Sequence, residues 1–321
     1  MPKESQLNEQ MMATIHDHLE QIVERGRFAG IDDVGLDWAC YHPEQATKAI
    51  LLVNGRIESH YKYIETIYDF VMRGYAVFTY DHRGQGASDR LAHNRHLGHV
   101  DKFDHYQQDL AQLCDHYLWP RGYQQVYLVA HSMGCCVSAQ YLAEHRPPIE
   151  RTVFCSPMFK IHSGHLPWHL AKWIVHAWSA GSRNLCQWFG GEPGYFLFGS
   201  GYKDKPFETN LLSHSAIRYQ AFRELYQRNE DLQLGSPSAH WVEQAVLACQ
   251  QVIKQASQIH IPILVIEAGA DRVVDKQGVA AFAATALDCR HHTIEGARHE
   301  LFLESDNYRQ PTLDTLFEFI D

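Results

Sequence analysis

The chain has 321 residues, of which 45% are hydrophobic and 21% are charged, a balance typical of a packed globular protein rather than a disordered one. Its 28 basic and 38 acidic residues give a net charge of −10, which argues against nucleic acid as a partner, because phosphate neutralisation needs a basic surface. The polar N-terminus lacks the pattern of a secretory signal, and no run reaches the roughly 20 apolar residues of a spanning helix. The eight cysteines have no C-x-x-C spacing, which favours reduced thiols. We therefore expect a cytoplasmic protein.

Short apolar runs alternate with helical patterns along the chain. Strands are predicted over 49–53, 75–80, 126–130, 151–155, 261–266 and 292–294, and helices over 61–72, 103–117 and 238–259. Near-continuous apolar runs indicate strands that are covered on both faces, as parallel strands are. The sequence thus predicts an α/β fold with a mostly parallel sheet flanked by helices. Gly, Ser, Asp and His residues cluster after the strands, where ligands collect in such sheets.

The pattern changes after the fourth of these strands. Residues 159–234 are dense in aromatic side chains and show no strand series. We interpret this block as a helical cap inserted into the core, with the core formed by residues 1–158 and 235–321. The cap would lie over the active face of the sheet.

The stretch "VAHSMG" follows the apolar run 126–130 and nearly matches G-x-S-x-G, the sharp turn that exposes a nucleophilic serine. Ala130 replaces the first glycine and adds only one methyl group, whereas Gly134 keeps the second. A small-residue helix start follows, as this turn requires. We therefore predict that Ser132 is a nucleophile, and a structural serine is the alternative.

A serine nucleophile needs a base and a carboxylate to orient that base, which in this topology follow in the order Ser, Asp, His. Asp271 follows the run "ILVIEAGA", and His299 lies in "IEGARHEL" after the last predicted strand. Asp275 is a nearby alternative to Asp271, although its position suits a helix cap. We predict backbone N–H donors for the oxyanion at Met133, after the nucleophile, and at Arg56, behind Gly55.

Other motifs have simpler interpretations. Asp81, His82 and Arg83 in "YDHRGQGAS" are expected to form a structural turn network rather than to catalyse. His162, His165 and His169 have no acidic or thiolate companion nearby, and Pro167 interrupts their alignment. The sequence predicts neither a metal nor a cofactor.

These segments together resemble a known family. "NGRIES", "YDHRGQGASDR", "HLGHVDKFDHYQQDL", "VAHSMG", "SPMF" and "ADRVVD…GARHE" are similar to successive blocks of the α/β-hydrolase group that contains bacterial lysophospholipases and monoacylglycerol lipases. The resemblance runs from about Gly35 to the C-terminus. It implies a Ser132–Asp271–His299 triad, a helical cap, no cofactor, and hydrolysis of a fatty acyl ester through an acyl-enzyme. Asn54 and Cys135 depart from the common His and Gly of this group, and Cys135 could alter how the nucleophile helix packs.

The resemblance favours a lysophospholipase, with a monoacylglycerol lipase or a general carboxylesterase as the alternative. A peptidase or acyltransferase on the same fold, and a non-catalytic lipid-binding protein, are further hypotheses. The expected partner is a small lipid, and we predict that Met158, Phe159 and part of the cap line its acyl pocket. The cap tryptophans permit peripheral contact with the inner face of the cell membrane but do not require it. The oligomeric state stays open.

Overall fold

The computed structural model describes residues 2–162, 164, 166–189 and 191–321. Within them one sheet of eight strands forms the centre of the protein. The strands are β1 (Val23–Ala29), β2 (Gly35–Tyr41), β3 (Lys48–Val53), β4 (Tyr75–Tyr80), β5 (Gln125–His131), β6 (Arg151–Cys155), β7 (Ile263–Ala268) and β8 (Cys289–Ile294). Their spatial order is β1-β2-β4-β3-β5-β6-β7-β8.

The sheet is mostly parallel, which confirms the predicted fold class. Strands β3 to β8 all run parallel to one another, whereas β2 is antiparallel to both β1 and β4. In the central register, Val53 lies beside Tyr80 and Ala130. The loops that follow β3, β4 and β5 therefore leave the sheet at one edge, where the predicted site residues lie.

The helices cover both faces of the sheet. They are α1 (Glu9–Glu20), α2 (Ile64–Met72), α3 (Asp104–Leu113), α4 (Met133–His145), α5 (Trp168–Phe189), α6 (Ala216–Arg228), α7 (Ala239–Gln255), α8 (Lys276–Thr285) and α9 (Asp306–Ile320). The predicted helix 103–117 is found as α3 followed by a π-helical turn over Cys114–Leu118. The predicted helix 238–259 ends earlier as an α-helix and continues as a 3-10 turn over Ala256–Gln258.

Two apolar clusters, one on each face of the sheet, make up the main core. One packs α3, α4, α7 and α8 against the sheet, and the other packs α1, α2 and α9 against the opposite face. The side chains of β3 alternate between them, since Leu51 belongs to the first cluster and Ile50 and Leu52 to the second. Burial on both faces explains why the central strands read as continuous apolar runs.

The described part of the 159–234 block contributes α5 and α6 and no strand of the sheet. α5 is fastened to α7 by Glu243, whose carboxylate accepts hydrogen bonds from Ser179 (2.6 Å) and Arg183 (2.8 Å) and lies 2.6 Å from Nδ1 of His176. The outer side of α5 exposes Trp173 and Trp188 at 66% and 78% of their surface. None of the described helices has the length and apolarity needed to cross a bilayer.

Candidate active site

Ser132 occupies a strained turn between β5 and α4. Its backbone has φ 51° and ψ −115°, a region that residues other than glycine rarely adopt. Three hydrogen bonds hold it there: the Ser132 N–H donates to the carbonyl of Cys155 (3.0 Å), and the Ser132 carbonyl accepts from the N–H groups of Met158 (3.0 Å) and Cys135 (3.1 Å). The surrounding loops thus impose the backbone conformation that turns the hydroxyl away from the sheet.

The residue after Met133 must be small for this turn to fit. A Cβ atom at Gly134 would lie 2.5 Å from the carbonyl oxygen of Val53, so α4 begins in direct contact with the end of β3. Cys135 is fully buried, and its thiol donates to the carbonyl of Cys155 at 3.5 Å. The cysteine that departs from the family pattern therefore packs against β6, and burial raises the pKa of its thiol well above the usual range.

Ser132, His299 and Asp271 form a continuous hydrogen-bonded chain. Nε2 of His299 lies 2.9 Å from Oγ of Ser132, and Nδ1 of the same ring lies 2.7 Å from Oδ2 of Asp271. The serine and histidine are buried at 8% and 4% exposure, so little water competes for these bonds. The arrangement allows the imidazole to take the serine proton while the carboxylate holds its tautomer.

Asp271 is itself held by the turn that follows β7. Its Oδ1 accepts from the N–H groups of Val273 (2.7 Å) and Val274 (3.2 Å), which leaves Oδ2 for His299. Burial alone would raise the pKa of Asp271, but the bonds from His299 and from these N–H groups lower it below its usual value. The carboxylate therefore stays ionised beside the histidine.

Asp275, the alternative carboxylate, lies at the start of α8. Its Oδ1 accepts from the N–H of Gln277 (2.9 Å) as a helix cap, and its Oδ2 lies 2.7 Å from Nζ of Lys160. Both carboxylate oxygens are thus engaged away from His299.

The loop after β3 touches Ser132. A Cβ atom at Gly55 would lie 3.0 Å from Cβ of Ser132. The loop is fixed by Nε2 of Gln85, which donates to the carbonyls of Gly55 (2.7 Å) and Glu58 (2.9 Å), and by the Gly55 N–H, which donates to the Glu58 carboxylate. The backbone of Arg56 follows directly in this loop. Met133 is the first residue of α4, so its N–H has no intrahelical partner.

A buried ionic cluster, which the sequence interpretation missed, lies behind these loops. The Glu58 carboxylate accepts from Nζ of Lys62 (2.8 Å) and the hydroxyl of Tyr63 (2.7 Å) and lies 3.2 Å from Nδ1 of His131. Lys62 also donates to Glu300 at 2.7 Å. We call Glu58, Lys62, His131 and Glu300 the ionic cluster.

The cluster contains two acids and two bases whose charges balance. Burial would raise the pKa of Glu58, but Lys62 and His131 hold it well below its usual range. Burial would likewise lower the pKa of His131, but Glu58 and Glu300 raise it to about 9. His131 is therefore a cation at neutral pH. Its Nε2 lies 3.1 Å from the carbonyl oxygen of His299, so the cluster contacts the loop of the candidate base.

The only sequence signals for this cluster are adjacency and spacing. His131 precedes Ser132, Glu300 follows His299, and Glu58 and Lys62 are four residues apart. Glu58, His131 and Glu300 could together hold a metal ion by proximity alone. However, Nζ of Lys62 already lies between the two carboxylates, which makes this set unsuited to a further cation.

A second polar network supports the loop after β4. Asp81 accepts from the hydroxyl of Ser59 (2.6 Å) and from the N–H groups of His60 (2.7 Å) and Ala87 (2.8 Å), and Arg83 pairs with Asp109 at 2.6 Å. These bonds tie neighbouring loops together, as a structural turn network does.

Asn54 points into this network. Its amide donates to the carbonyl of Tyr80 (3.0 Å) and to Oδ1 of Asp81 (3.2 Å), so this departure from the family pattern leaves the backbone of the Gly55 loop in place.

The three histidines weighed as metal ligands give no site among the described residues. His162 accepts from the N–H of Gly164 at 3.0 Å, and His169 is exposed. His165 lies outside the described residues.

Met158 and Phe159 follow β6, and the Met158 N–H donates to the carbonyl of Ser132. The carbonyl of Met158 also accepts a hydrogen bond from the thiol of Cys249 at 3.2 Å. The ring of Phe159 is fully buried and stacks on Phe282 with centroids 4.2 Å apart. That both residues line an acyl pocket stays a prediction.

Two apolar grooves run along α5. One, of about 600 Å³, is lined by Trp173, Ile174, Ala177, Trp178 and Tyr195. The other, of about 170 Å³, is lined by Ile161, Trp168, Val175, Phe196, Val242 and Val246. Ile161, which lines the second groove, lies three residues beyond Met158 in the chain.

Comparison with known proteins adds independent information. A family model described as serine aminopeptidase, S33, matches residues 44–306. Lysophospholipase L2 of Escherichia coli strain K12 is 30% identical over 309 residues, which cover 93% of this chain and 87% of the relative. Probable lysophospholipase L2 of Haemophilus influenzae is 31% identical over 282 residues, with coverages of 87% and 86%.

A solved structure is also similar. A soluble variant of monoglyceride lipase from Saccharomyces cerevisiae, in complex with a substrate analog, matches with a TM-score of 0.67 and 16% identity, covering 94% of this chain and 96% of that one. At this level of identity the similarity shows a common fold.

Proposed function

The chain belongs to the serine aminopeptidase S33 family of α/β-hydrolases and is an ester hydrolase, and we propose that its substrate is a lysophospholipid. The observation that carries the proposal is the hydrogen-bonded chain from Ser132 through His299 to Asp271. Its relatives named lysophospholipase L2 support this substrate class over others.

In the proposed reaction Oγ of Ser132 attacks the ester carbonyl carbon and passes its proton to Nε2 of His299. The N–H groups of Arg56 and Met133 donate to the oxyanion that forms, an interaction of the kind that is typically worth about a hundredfold to a thousandfold in rate for each donor. His299 then returns the proton to the leaving glycerol oxygen, which leaves an acyl-enzyme. A water molecule then attacks the acyl carbonyl carbon and gives a proton to His299. The bond from this carbon to Oγ breaks as His299 returns the proton to Ser132, which releases the fatty acid.

The family description raises peptidase activity as a second candidate. An aminopeptidase needs an anionic group that binds the substrate ammonium. Glu58 and Glu300, the carboxylates next to the site, are both occupied by Lys62, and Glu58 also faces His131. Their charges are already balanced, which favours ester over aminopeptide substrates.

Among lipid substrates, a monoacylglycerol is the alternative to a lysophospholipid, since one structural relative is named a monoglyceride lipase. A monoacylglycerol carries the same ester and acyl chain without the phosphate. General carboxylesterase activity toward short esters would follow from the same triad.

We assign residues 159–234 to a helical cap over the site and the flanking regions to the catalytic core. In this proposal the acyl chain enters along the groove that Ile161 helps to line and ends against Met158 and Phe159. The exposed Trp173 and Trp188 suit peripheral contact with a membrane interface, where tryptophan is enriched. We propose a cytoplasmic enzyme whose cap contacts the inner face of the cell membrane peripherally.

The test is a fluorophosphonate probe combined with a substrate panel. The probe should label the protein at Ser132, and Ser132→Ala should abolish both labelling and ester turnover. Lysophosphatidylcholine and lysophosphatidylethanolamine should release fatty acid faster than a monoacylglycerol or an aminoacyl amide does. Ester turnover that persists in Ser132→Ala would refute the assigned nucleophile, and a preference for the amide would refute the substrate class.

A further inference from the structure

Arg56 carries a guanidinium group that no carboxylate faces among the described residues. One terminal nitrogen donates to the carbonyl of Gly235 at 2.7 Å, and the Nε atom is buried without an acceptor. The guanidinium carbon lies 4.9 Å from the ring centre of Trp241. Only one of the five N–H groups of this arginine thus has a hydrogen-bond acceptor among the described residues, although the residue is only partly open to solvent.

Arg83, Arg218 and Arg309 are the arginines that the structure buries most fully, each at 2% exposure. Each is paired with a carboxylate: Arg83 with Asp109 at 2.6 Å, Arg218 with Glu65 at 2.8 Å, and Arg309 with Asp69 at 2.6 Å. A cation withdrawn from water without a counter-ion is destabilising, because desolvation is not offset. Burial accordingly lowers the pKa of Arg56 to about 10. A bound anion would offset this cost.

The position of Arg56 indicates which anion would fit. Its main-chain N–H is the candidate oxyanion donor, so the side chain starts at the point where the ester carbonyl would be held. A Cβ atom at Gly98 would lie 3.3 Å from the guanidinium carbon, so the absence of a side chain there leaves room for the arginine. The guanidinium lies between the loop after β4 and the start of α7, one arginine side chain away from the main-chain N–H that would face the ester.

We propose that the Arg56 guanidinium binds the phosphate anion of the lysophospholipid while the N–H of the same residue faces the ester. This inference rests on the proposed function and names the headgroup feature that the site recognises. Only the short glycerol backbone separates ester and phosphate in such a lipid, which matches one residue holding both. The planar fork of arginine suits bidentate bonds to phosphate oxygens. A monoacylglycerol has a hydroxyl at that place and cannot neutralise the charge.

A purely structural role makes a different prediction. If Arg56 only fastens the Gly55 loop to Gly235 and Trp241, its loss disturbs every substrate alike. The ratio of kcat/KM for a lysophospholipid to kcat/KM for the monoacylglycerol of the same acyl chain separates the two roles, because any effect through the main chain cancels in it.

The first experiment measures this ratio for the wild type, Arg56→Met and Arg56→Lys. Arg56→Met should lower it by about tenfold to a hundredfold, the range of hydrogen bonds to a charged group, and Arg56→Lys should restore part of it. Arg228→Met, which removes an arginine with a side chain 78% exposed on α6, is the matched control and should leave the ratio unchanged. An unchanged ratio in Arg56→Met, with the wild type active on lysophospholipid, would overturn the inference and leave the proposed function intact.

The second experiment measures binding without turnover. Ser132→Ala protein is titrated calorimetrically with short-chain lysophosphatidylcholine below its micelle concentration, with the matching monoacylglycerol, and with inorganic phosphate. Adding Arg56→Met should weaken lysophosphatidylcholine binding about tenfold or more and monoacylglycerol binding less. Arg56-dependent binding without turnover in the wild type would refute the proposed function alone. Inorganic phosphate binding as tightly as the lipid would instead assign the site to free phosphate and refute the headgroup role.

Discussion

The ionic cluster predicts that stability declines with pH in the neutral to alkaline range. The pKa of His131 is raised from its usual value of 6.5 to about 9 in the folded protein by Glu58 and Glu300. A group with a raised folded pKa stabilises the protein fully below its unfolded pKa, and the contribution is lost as pH rises through the folded one. For His131 the loss therefore falls between pH 6.5 and about 9.

The size of the loss follows from the same values. Each pH unit between the two pKa values corresponds to about 1.4 kcal/mol, so the whole window is worth about 3 kcal/mol. His131 is 1% exposed, so solvent screening reduces this figure little. Glu58, whose pKa is lowered, contributes in the opposite window, because its stabilisation is lost only as pH falls.

Urea unfolding at a series of pH values measures the effect. The wild type should lose about 3 kcal/mol of unfolding free energy from pH 6.5 to 9 relative to His131→Gln, which keeps a donor to the His299 carbonyl but cannot be charged. Buried thiols such as Cys135 begin to contribute at the upper end of the window, and they cancel in the difference between the two proteins. Parallel curves for wild type and His131→Gln would show that His131 is neutral in the fold and would refute the charge assignment.

Three further changes test other parts of the structure. Asp271→Asn should lower kcat on a p-nitrophenyl ester by about a thousandfold to ten-thousandfold, because the histidine loses its correct tautomer. Asp275→Asn should lower kcat far less, and equal losses would contradict the assigned carboxylate. Gly134→Ala places a Cβ atom 2.5 Å from a backbone carbonyl of β3 and should cost about 1–3 kcal/mol in urea unfolding, whereas Gly181→Ala, with open space around its Cβ, should not destabilise the protein. Glu243→Gln weakens the hydrogen bonds that fasten α5 to α7, so limited proteolysis within residues 168–189 should become about tenfold faster. An unchanged cleavage rate would show that this contact does not hold the helix.

The parts of the fold that the sequence predicted are those with a local signature. The strands β3 to β7 are apolar runs, because helices cover both of their faces, and each was located within a few residues. The sequence did not predict β1 and β2, because they are not near-continuous apolar runs. β1 reads VERGRFA, lies at the edge of the sheet and buries only Phe28, so nothing in its composition distinguishes it from a loop.

The candidate site likewise contains residues with a local sequence pattern and residues without one. Ser132 was predicted from a turn that requires small residues at fixed spacing, a constraint that is visible within a few positions. The ionic cluster joins residues 58–62 to 131 and 300, and only the folded chain brings these together. The sequence does not distinguish a buried Lys or Glu from an exposed one, so no sequence pattern predicted this cluster.

The ionic cluster connects the three loops that the proposed reaction needs. Glu58 accepts from the N–H of Gly55 in the oxyanion loop and faces His131, which precedes the nucleophile and contacts the carbonyl of His299. Preorganised donors accelerate a reaction only if they are already in place when charge develops. Two acids and two bases with balanced charge can be buried behind the site without adding a net field at the oxyanion. The cluster can therefore hold the loops rigidly while leaving the stabilisation of the oxyanion to the backbone N–H groups.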